Sequence, residues 1–82
     1  MAGVQTPLAR LQAGTRAVID RITIPPSEQS RLLEMGLIAG TPVEIVRFAP
    51  LGDPIEIKVR GYHLTLRKED AEQIWVTPAP SP

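Results

Sequence analysis

The sequence contains no cysteine, one histidine and three aromatic residues, and its nine Lys and Arg are balanced by nine Asp and Glu. Without cysteine there is neither a disulfide nor a thiolate metal site to stabilise the fold. A net charge of zero removes the long-range field with which nonspecific nucleic-acid or anionic-membrane binders attract their partners. We therefore expect no nucleic-acid partner.

Long apolar runs are also missing from the sequence. No stretch approaches the roughly 18 apolar residues that a membrane-spanning helix needs. The N-terminus lacks the basic and then apolar pattern of a signal peptide. These observations predict a cytoplasmic protein with no direct membrane insertion.

What the chain does have is the length and apolar content of one small domain. It has 82 residues, of which 43% are hydrophobic, and a chain of this size buries only about 60% of its unfolded surface. Residues 1–6 show no periodicity, and Pro78, Pro80 and Pro82 disfavour regular structure. We predict a flexible N-terminus over residues 1–7, a folded domain over 8–76 and a disordered tail over 77–82.

Residues 27–46 form the clearest local pattern, a helix followed by a stop and a strand. Pro25 and Pro26 fit before a helix, and Ser27 offers an oxygen to the free amides of its first turn. Gly36 stands where a left-handed residue ends a helix, and Leu37 is placed to fold back onto the last turn. A helix is therefore predicted from about Ser27 to Met35.

Short β-strands account for most of the remaining sequence. Strict alternation of apolar and charged residues over 55–60 predicts the clearest strand, Gly61 marks a tight hairpin, and the proline-rich residues 49–54 mark a wide loop. The five predicted strands cover residues 15–23, 41–48, 55–60, 62–66 and 74–76, with a helical turn within 67–72. Exposed sheet edges invite aggregation, so we expect an all-β fold, a small antiparallel barrel with one helix inserted between its first two strands.

Two segments carry a family resemblance: RLLEMGLIAGTPVEIV at 31–46 and APLGDPIEIKVRGYHLTLRKEDAEQI at 49–74. Together they resemble the FeoA family of bacterial ferrous iron uptake. The resemblance implies an SH3-like barrel with an inserted helix, and an accessory or regulatory protein that binds the cytosolic region of FeoB, a membrane transporter with a GTPase domain. The characteristic family positions fall on Leu32, Leu33, Gly36, Gly40, Pro50, Leu51, Gly52, Asp53, Pro54, Ile55, Leu64, Leu66 and Arg67.

A second interpretation stays open, because related SH3-like domains occur at the C-terminus of iron-dependent transcriptional repressors. The chain would then be an interaction module of iron-dependent transcriptional regulation. No helix-turn-helix pattern precedes the domain in this sequence, and so the resemblance favours the stand-alone transport protein, recruited to the inner face of the cell membrane.

The sequence offers no pattern typical of an enzyme or of a cofactor or metal site. It contains no nucleophile–base pairing, no carboxylate pair at catalytic spacing and no cofactor fingerprint. His63 is the single histidine, and the scattered acids do not lie at metal-ligand spacing. We interpret His63 as a hairpin surface residue and expect no catalytic residue, cofactor or metal ligand.

Two apolar features are candidates for contact with a partner protein. Leu32, Leu33 and Met35 lie on the predicted helix, where they either cover the core or remain exposed for a partner. Leu51 and Asp53 lie in the wide loop. This loop either recognises a partner at its tip or carries these residues only because they form the turn. Two weaker hypotheses are a basic patch of Lys58, Arg60 and Arg67, and self-association through an open barrel edge.

Overall fold

In a computed structural model that describes residues 5–79, the chain forms one antiparallel six-stranded sheet. The strands are β1 (Thr6–Pro7), β2 (Arg16–Ile22), β3 (Pro42–Phe48), β4 (Ile55–Val59), β5 (Tyr62–Leu66) and β6 (Ile74–Pro78), and the helices are α1 (Pro26–Glu34) and α2 (Lys68–Ala71). Their order across the sheet is β1-β6-β2-β3-β4-β5. The mainly antiparallel β fold with one helix between the first long strands confirms the predicted fold class.

The core lies against one face of this sheet. Strict alternation in β4 places Ile55, Ile57 and Val59 inside, each with no exposed surface. Register shifts in β2 and β3 add one residue to each strand, and such bulges increase the twist with which a sheet wraps its core. The remaining buried apolar residues are Leu8, Ala17, Ile19, Ile24, Leu32, Leu37, Val43, Ile45, Leu66, Ala71, Ile74 and Val76.

Helix α1 begins one residue earlier than the sequence suggested. Pro26 is its first residue and Pro25 occupies the capping position, with no side-chain capping hydrogen bond. The assignment of Ser27 as the capping residue is therefore wrong. A proline suits the first helical position because its fixed φ matches the helix and the amide that it lacks would have no helical partner there.

The end of α1 is the helix stop predicted at Gly36. Gly36 has φ +86°, its amide donates to the Leu33 carbonyl, and the Leu37 amide donates to the Leu32 carbonyl, both at 3.0 Å. These two bonds define a Schellman motif, which turns the chain back so that Leu37 enters the core.

Replacing Gly36 with alanine should destabilise the domain for two reasons. The left-handed backbone costs an L-residue about 1–2 kcal/mol. A new Cβ would also lie 3.1 Å from the Tyr62 hydroxyl, which donates to the Met35 carbonyl, and disturbing that bond adds about 1 kcal/mol. Urea unfolding would measure the loss.

Gly40→Ala is the matched control, since Gly40 has φ +90° and a Cβ added there would have no neighbouring atom within 4 Å. We expect Gly40→Ala to lower the free energy of unfolding only by the cost of the left-handed backbone. Equal losses in the two variants would contradict a role for the contact with Tyr62.

The sheet extends beyond both predicted ends of the folded domain. Thr6 pairs with Val76 in β1, and Pro78 ends β6 opposite Ala17, so the ordered part is longer than residues 8–76. A proline is tolerated at a strand end, where its missing amide interrupts no continuing ladder. The predictions of flexibility and disorder for residues 1–4 and 80–82 lie outside the described residues.

Candidate partner-docking surface

The three apolar candidates of α1 differ in their exposure. Leu32 is buried with 0% exposure, Leu33 is 53% exposed and Met35 is half-buried against the core. Neighbouring helical residues lie about 100° apart, so a buried Leu32 turns Leu33 outward and keeps Met35, three residues on, near the core side. Of the three candidates, Leu33 and part of Met35 are accessible on the surface.

A groove separates the second half of α1 from the end of β5. Its volume is about 220 Å³, and its lining consists of Arg31, Met35, Pro54, Thr65, Leu66, Arg67 and Asp70. The groove thus brings the helix candidate Met35 and the base of the 49–54 loop to one surface, although they lie far apart in sequence. We call this groove, together with Leu51 of the loop that contributes Pro54 to it, the α1–loop surface. Leu33 lies two residues from both Arg31 and Met35, about 160–200° around the helix, so its exposed side chain faces away from the groove.

An ion pair fixes one wall of this groove. The Arg31 guanidinium lies 3.0 Å from a carboxylate oxygen of Asp70, and Asp70 is only 8% exposed. The contact joins α1 to α2. No side-chain polar atom buried within residues 5–79 lacks a hydrogen-bond partner, so the groove leaves no buried polar group for a ligand to satisfy.

Replacing Arg31 with methionine keeps the aliphatic stem and removes the charge. We expect it to destabilise the domain by about 1–3 kcal/mol, because it leaves a nearly buried carboxylate without its partner. Arg67→Met is the control, since Arg67 pairs only loosely with Glu69, at 3.9 Å between exposed groups, and should cost less than about 0.5 kcal/mol. Similar losses from the two variants, measured by thermal or urea unfolding, would contradict a structural role for the Arg31–Asp70 pair.

The wide loop holds its tip in a fixed position. The Gly52 amide donates to the Ala49 carbonyl at 2.7 Å and the Ala49 amide donates to the Pro54 carbonyl at 3.0 Å. Leu51, between these bonds, is 95% exposed. A large apolar side chain held out by an ordered loop loses little conformational freedom on binding, which favours an anchor residue for a partner.

Asp53 has a structural contact that sequence reasoning missed. Its Oδ1 accepts the Lys68 amide at 3.0 Å, and Lys68 is the first residue of α2. The carboxylate therefore caps α2 and ties the loop to it, as N-cap side chains do within one segment. No local pattern reveals this contact, because the two residues lie 15 positions apart.

Two further residues of this region were not singled out from the sequence. Ile38 is an exposed large apolar residue just after α1, and the partly exposed Tyr62 donates its hydroxyl to the Met35 carbonyl. Tyr62 thereby links β5 to the end of α1. Its position at the start of a strand gave no signal of this role.

The charged residues considered from the sequence are dispersed. His63 is exposed on β5, with Nδ1 3.5 Å from Glu56, whose carboxylate also accepts a hydrogen bond from Arg47 Nε at 3.0 Å. Residues 5–79 contain no group of three or more His, Asp or Glu placed to hold a metal ion. The predicted basic patch is divided, since Arg67 lines the groove whereas Lys58 and Arg60 line a separate cleft.

None of the described helices is both long and apolar enough to cross a membrane.

Comparison with known proteins identifies the family. The FeoA domain model matches residues 6–78. An Fe(2+) transport protein A/Fe(2+) transporter FeoB fusion protein of Porphyromonas gingivalis is 39% identical over 69 residues, covering 84% of this chain. The chain spans only 8% of that fusion protein's length.

Solved structures agree with this match. The solution structure of the FeoA protein from Chlorobium tepidum is 40% identical and superimposes with a TM-score of 0.86, covering 92% of this chain and 71% of that one. A manganese-dependent transcriptional repressor, 15% identical, has a TM-score of 0.85 over 96% of this chain and 44% of its own, and this likeness shows the fold alone. The chain belongs to the FeoA domain family, which is linked to ferrous iron transport.

Proposed function

We propose that this protein is a non-enzymatic accessory protein of ferrous iron uptake, which binds the cytosolic region of a FeoB-type transporter and modulates its activity. The observation that carries the proposal is the fusion of a relative of this chain to a transporter in one polypeptide. A short covalent link gives two domains an effective concentration in the millimolar range. A separate chain needs a docking surface to reach the same arrangement.

The α1–loop surface supports such docking. It combines a groove, lined by α1 and by the base of the 49–54 loop, with the exposed Leu51 at the tip of that loop. Two internal contacts, Arg31 with Asp70 and Asp53 with Lys68, hold those elements in place. A preorganised surface with apolar anchors and a polar rim is typical of protein–protein interfaces.

The proposal can be tested by capture of the transporter. Detergent-solubilised membranes from the source organism would be passed over the immobilised protein, with a Leu33→Asp/Leu51→Asp double variant as matched bait. We expect the wild type, and not the folded double variant, to retain a transporter that carries a GTPase domain. Failure to enrich any such transporter would contradict the proposal.

Modulation needs a second measurement. Ferrous iron uptake would be compared between cells with and without this protein, at equal transporter levels. Unchanged uptake would contradict a modulating role even where binding is observed. No observation favours the alternative of an iron-dependent regulatory module, since the likeness to a repressor shows the fold alone.

A further inference from the structure

A second cleft lies away from the α1–loop surface, where β2, β3 and the turn between β4 and β5 meet. Its lining includes residues 16–18 of β2, residues 42–44 of β3, Lys58, Arg60, Gly61 and Ala79. The interior is mostly apolar, with the exposed Val18 directly opposite Pro42 in the strand register. None of these residues takes part in the transporter docking proposed above.

The rim of this cleft is basic. It carries Arg16, Lys58 and Arg60 against one carboxylate, Glu44. Glu44 is already engaged, at 3.6 Å from Arg16 Nε. In the part of the chain that the structure describes, neither Lys58 nor Arg60 has an acidic oxygen within 4 Å. Glu44 lies opposite Lys58 in the β3–β4 register without forming an ion pair with it. Within residues 5–79 the cleft therefore combines an apolar interior with two cations that form no ion pair.

The size of the cleft limits what it can hold. Its volume is about 260 Å³, which is below the roughly 300–1,000 Å³ of sites for cofactors and drug-sized ligands. It exceeds the roughly 150 Å³ of an engineered cavity that accommodates benzene. One or two side chains of a partner protein match this volume.

We propose that this cleft binds a segment of a partner protein in which one large apolar side chain lies between acidic residues. The apolar side chain packs into the cleft against Val18 and Pro42, and its acidic neighbours pair with Lys58 and Arg60. Charge complementarity selects this occupant, because an apolar segment with basic neighbours would bring like charges to the rim. Arg60 adds specificity, since a guanidinium binds a carboxylate with two parallel hydrogen bonds.

The test uses a blocked synthetic peptide of four glutamates around a central leucine, added to the ¹⁵N-labelled protein. We expect saturable amide shifts at Val18, Val43 and Gly61. Replacing the four glutamates with glutamines should weaken binding about 5-fold, the combined effect of two exposed ion pairs. Replacing the leucine with serine should abolish saturation.

Variants of the protein test the rim directly. Lys58→Glu/Arg60→Asp should weaken binding of the glutamate peptide by more than the glutamine substitution does, whereas Arg10→Glu/Arg67→Glu, with the same change in net charge on other surfaces, should not. Aspartate tolerates the positive φ of Arg60. If the rim variant fails to fold, the salt dependence of binding to the wild-type protein tests the same contacts. Raising the NaCl concentration should weaken binding of the glutamate peptide and leave binding of the glutamine peptide unchanged.

Three results would overturn the proposal. One is the absence of saturable shifts at the cleft, and another is equal affinity for the glutamate and glutamine peptides. The third is a set of cleft shifts that depends on protein concentration without peptide, which would assign the cleft to a second copy of this chain.

Discussion

Replacing Leu32 with alanine is expected to lower the free energy of unfolding by about 2–5 kcal/mol, whereas Leu33→Ala should change it by less than about 0.5 kcal/mol. The two residues are adjacent and chemically identical. Leu32 has no exposed surface, and its removal leaves a cavity between α1 and the sheet, while Leu33 is 53% exposed. Burial alone separates the two outcomes.

Urea unfolding of the two variants under one set of conditions would measure this difference. Similar losses at the two positions, or a larger loss at Leu33, would show that α1 is rotated relative to the arrangement described here. Small domains have total stabilities of about 5–15 kcal/mol, so Leu32→Ala removes a large share. A loss of transporter binding in that variant would therefore report unfolding. Binding tests on α1 should replace Leu33 instead.

Structural features that depend on a few neighbouring residues were predicted correctly. The alternation in residues 55–60 located β4, and Gly61 located the hairpin, in which Arg60 and Gly61 both have positive φ and Val59 pairs with Tyr62. Gly36 located the helix end, which its backbone bonds confirm. In each case the determining interactions span only a few residues, and so the sequence pattern contains them.

Features that depend on distant parts of the chain were not predictable from local pattern. The two-residue strand β1 exists because β6 offers it a partner, and Pro78 is ordered because β2 pairs with it. The apolar residues of α1 all favour burial, and only the position of the sheet decides that Leu32 is inside and Leu33 outside. The cap that Asp53 provides for α2 likewise depends on how loop and helix meet.

The same limit applies to both proposed binding surfaces. Met35 and Pro54 line one groove because α1 returns over the end of β5. Lys58 and Val18 line one cleft only because the register of β2, β3 and β4 brings their strands together. The sequence supplies the residue types, and the sheet register supplies their neighbours. The predicted self-association also depends on the sheet, since no ladder joins the outer strands β1 and β5 across the described residues; sedimentation at several concentrations would test it.

Leu51→Asp is expected to weaken the proposed binding to a FeoB-type transporter by about 30-fold or more, the effect of losing a hot-spot residue worth at least about 2 kcal/mol. The stability of the domain should change by less than about 0.5 kcal/mol, because Leu51 is 95% exposed and the loop is held by backbone bonds and by Asp53. Binding to the purified transporter in detergent would be measured by biolayer interferometry.

The control for this variant is Arg60→Asp, which makes a larger change in charge at the opposite end of β4 from the loop. Five residues of strand, at about 3.3 Å each, separate the two positions. We expect Arg60→Asp to leave transporter affinity within about twofold, a change of about 0.4 kcal/mol. Loss of affinity in both variants would point to a general electrostatic effect or to a second contact through the cleft. Full affinity in Leu51→Asp would exclude the loop tip as an anchor and leave Leu33, on α1, as the residue to replace next.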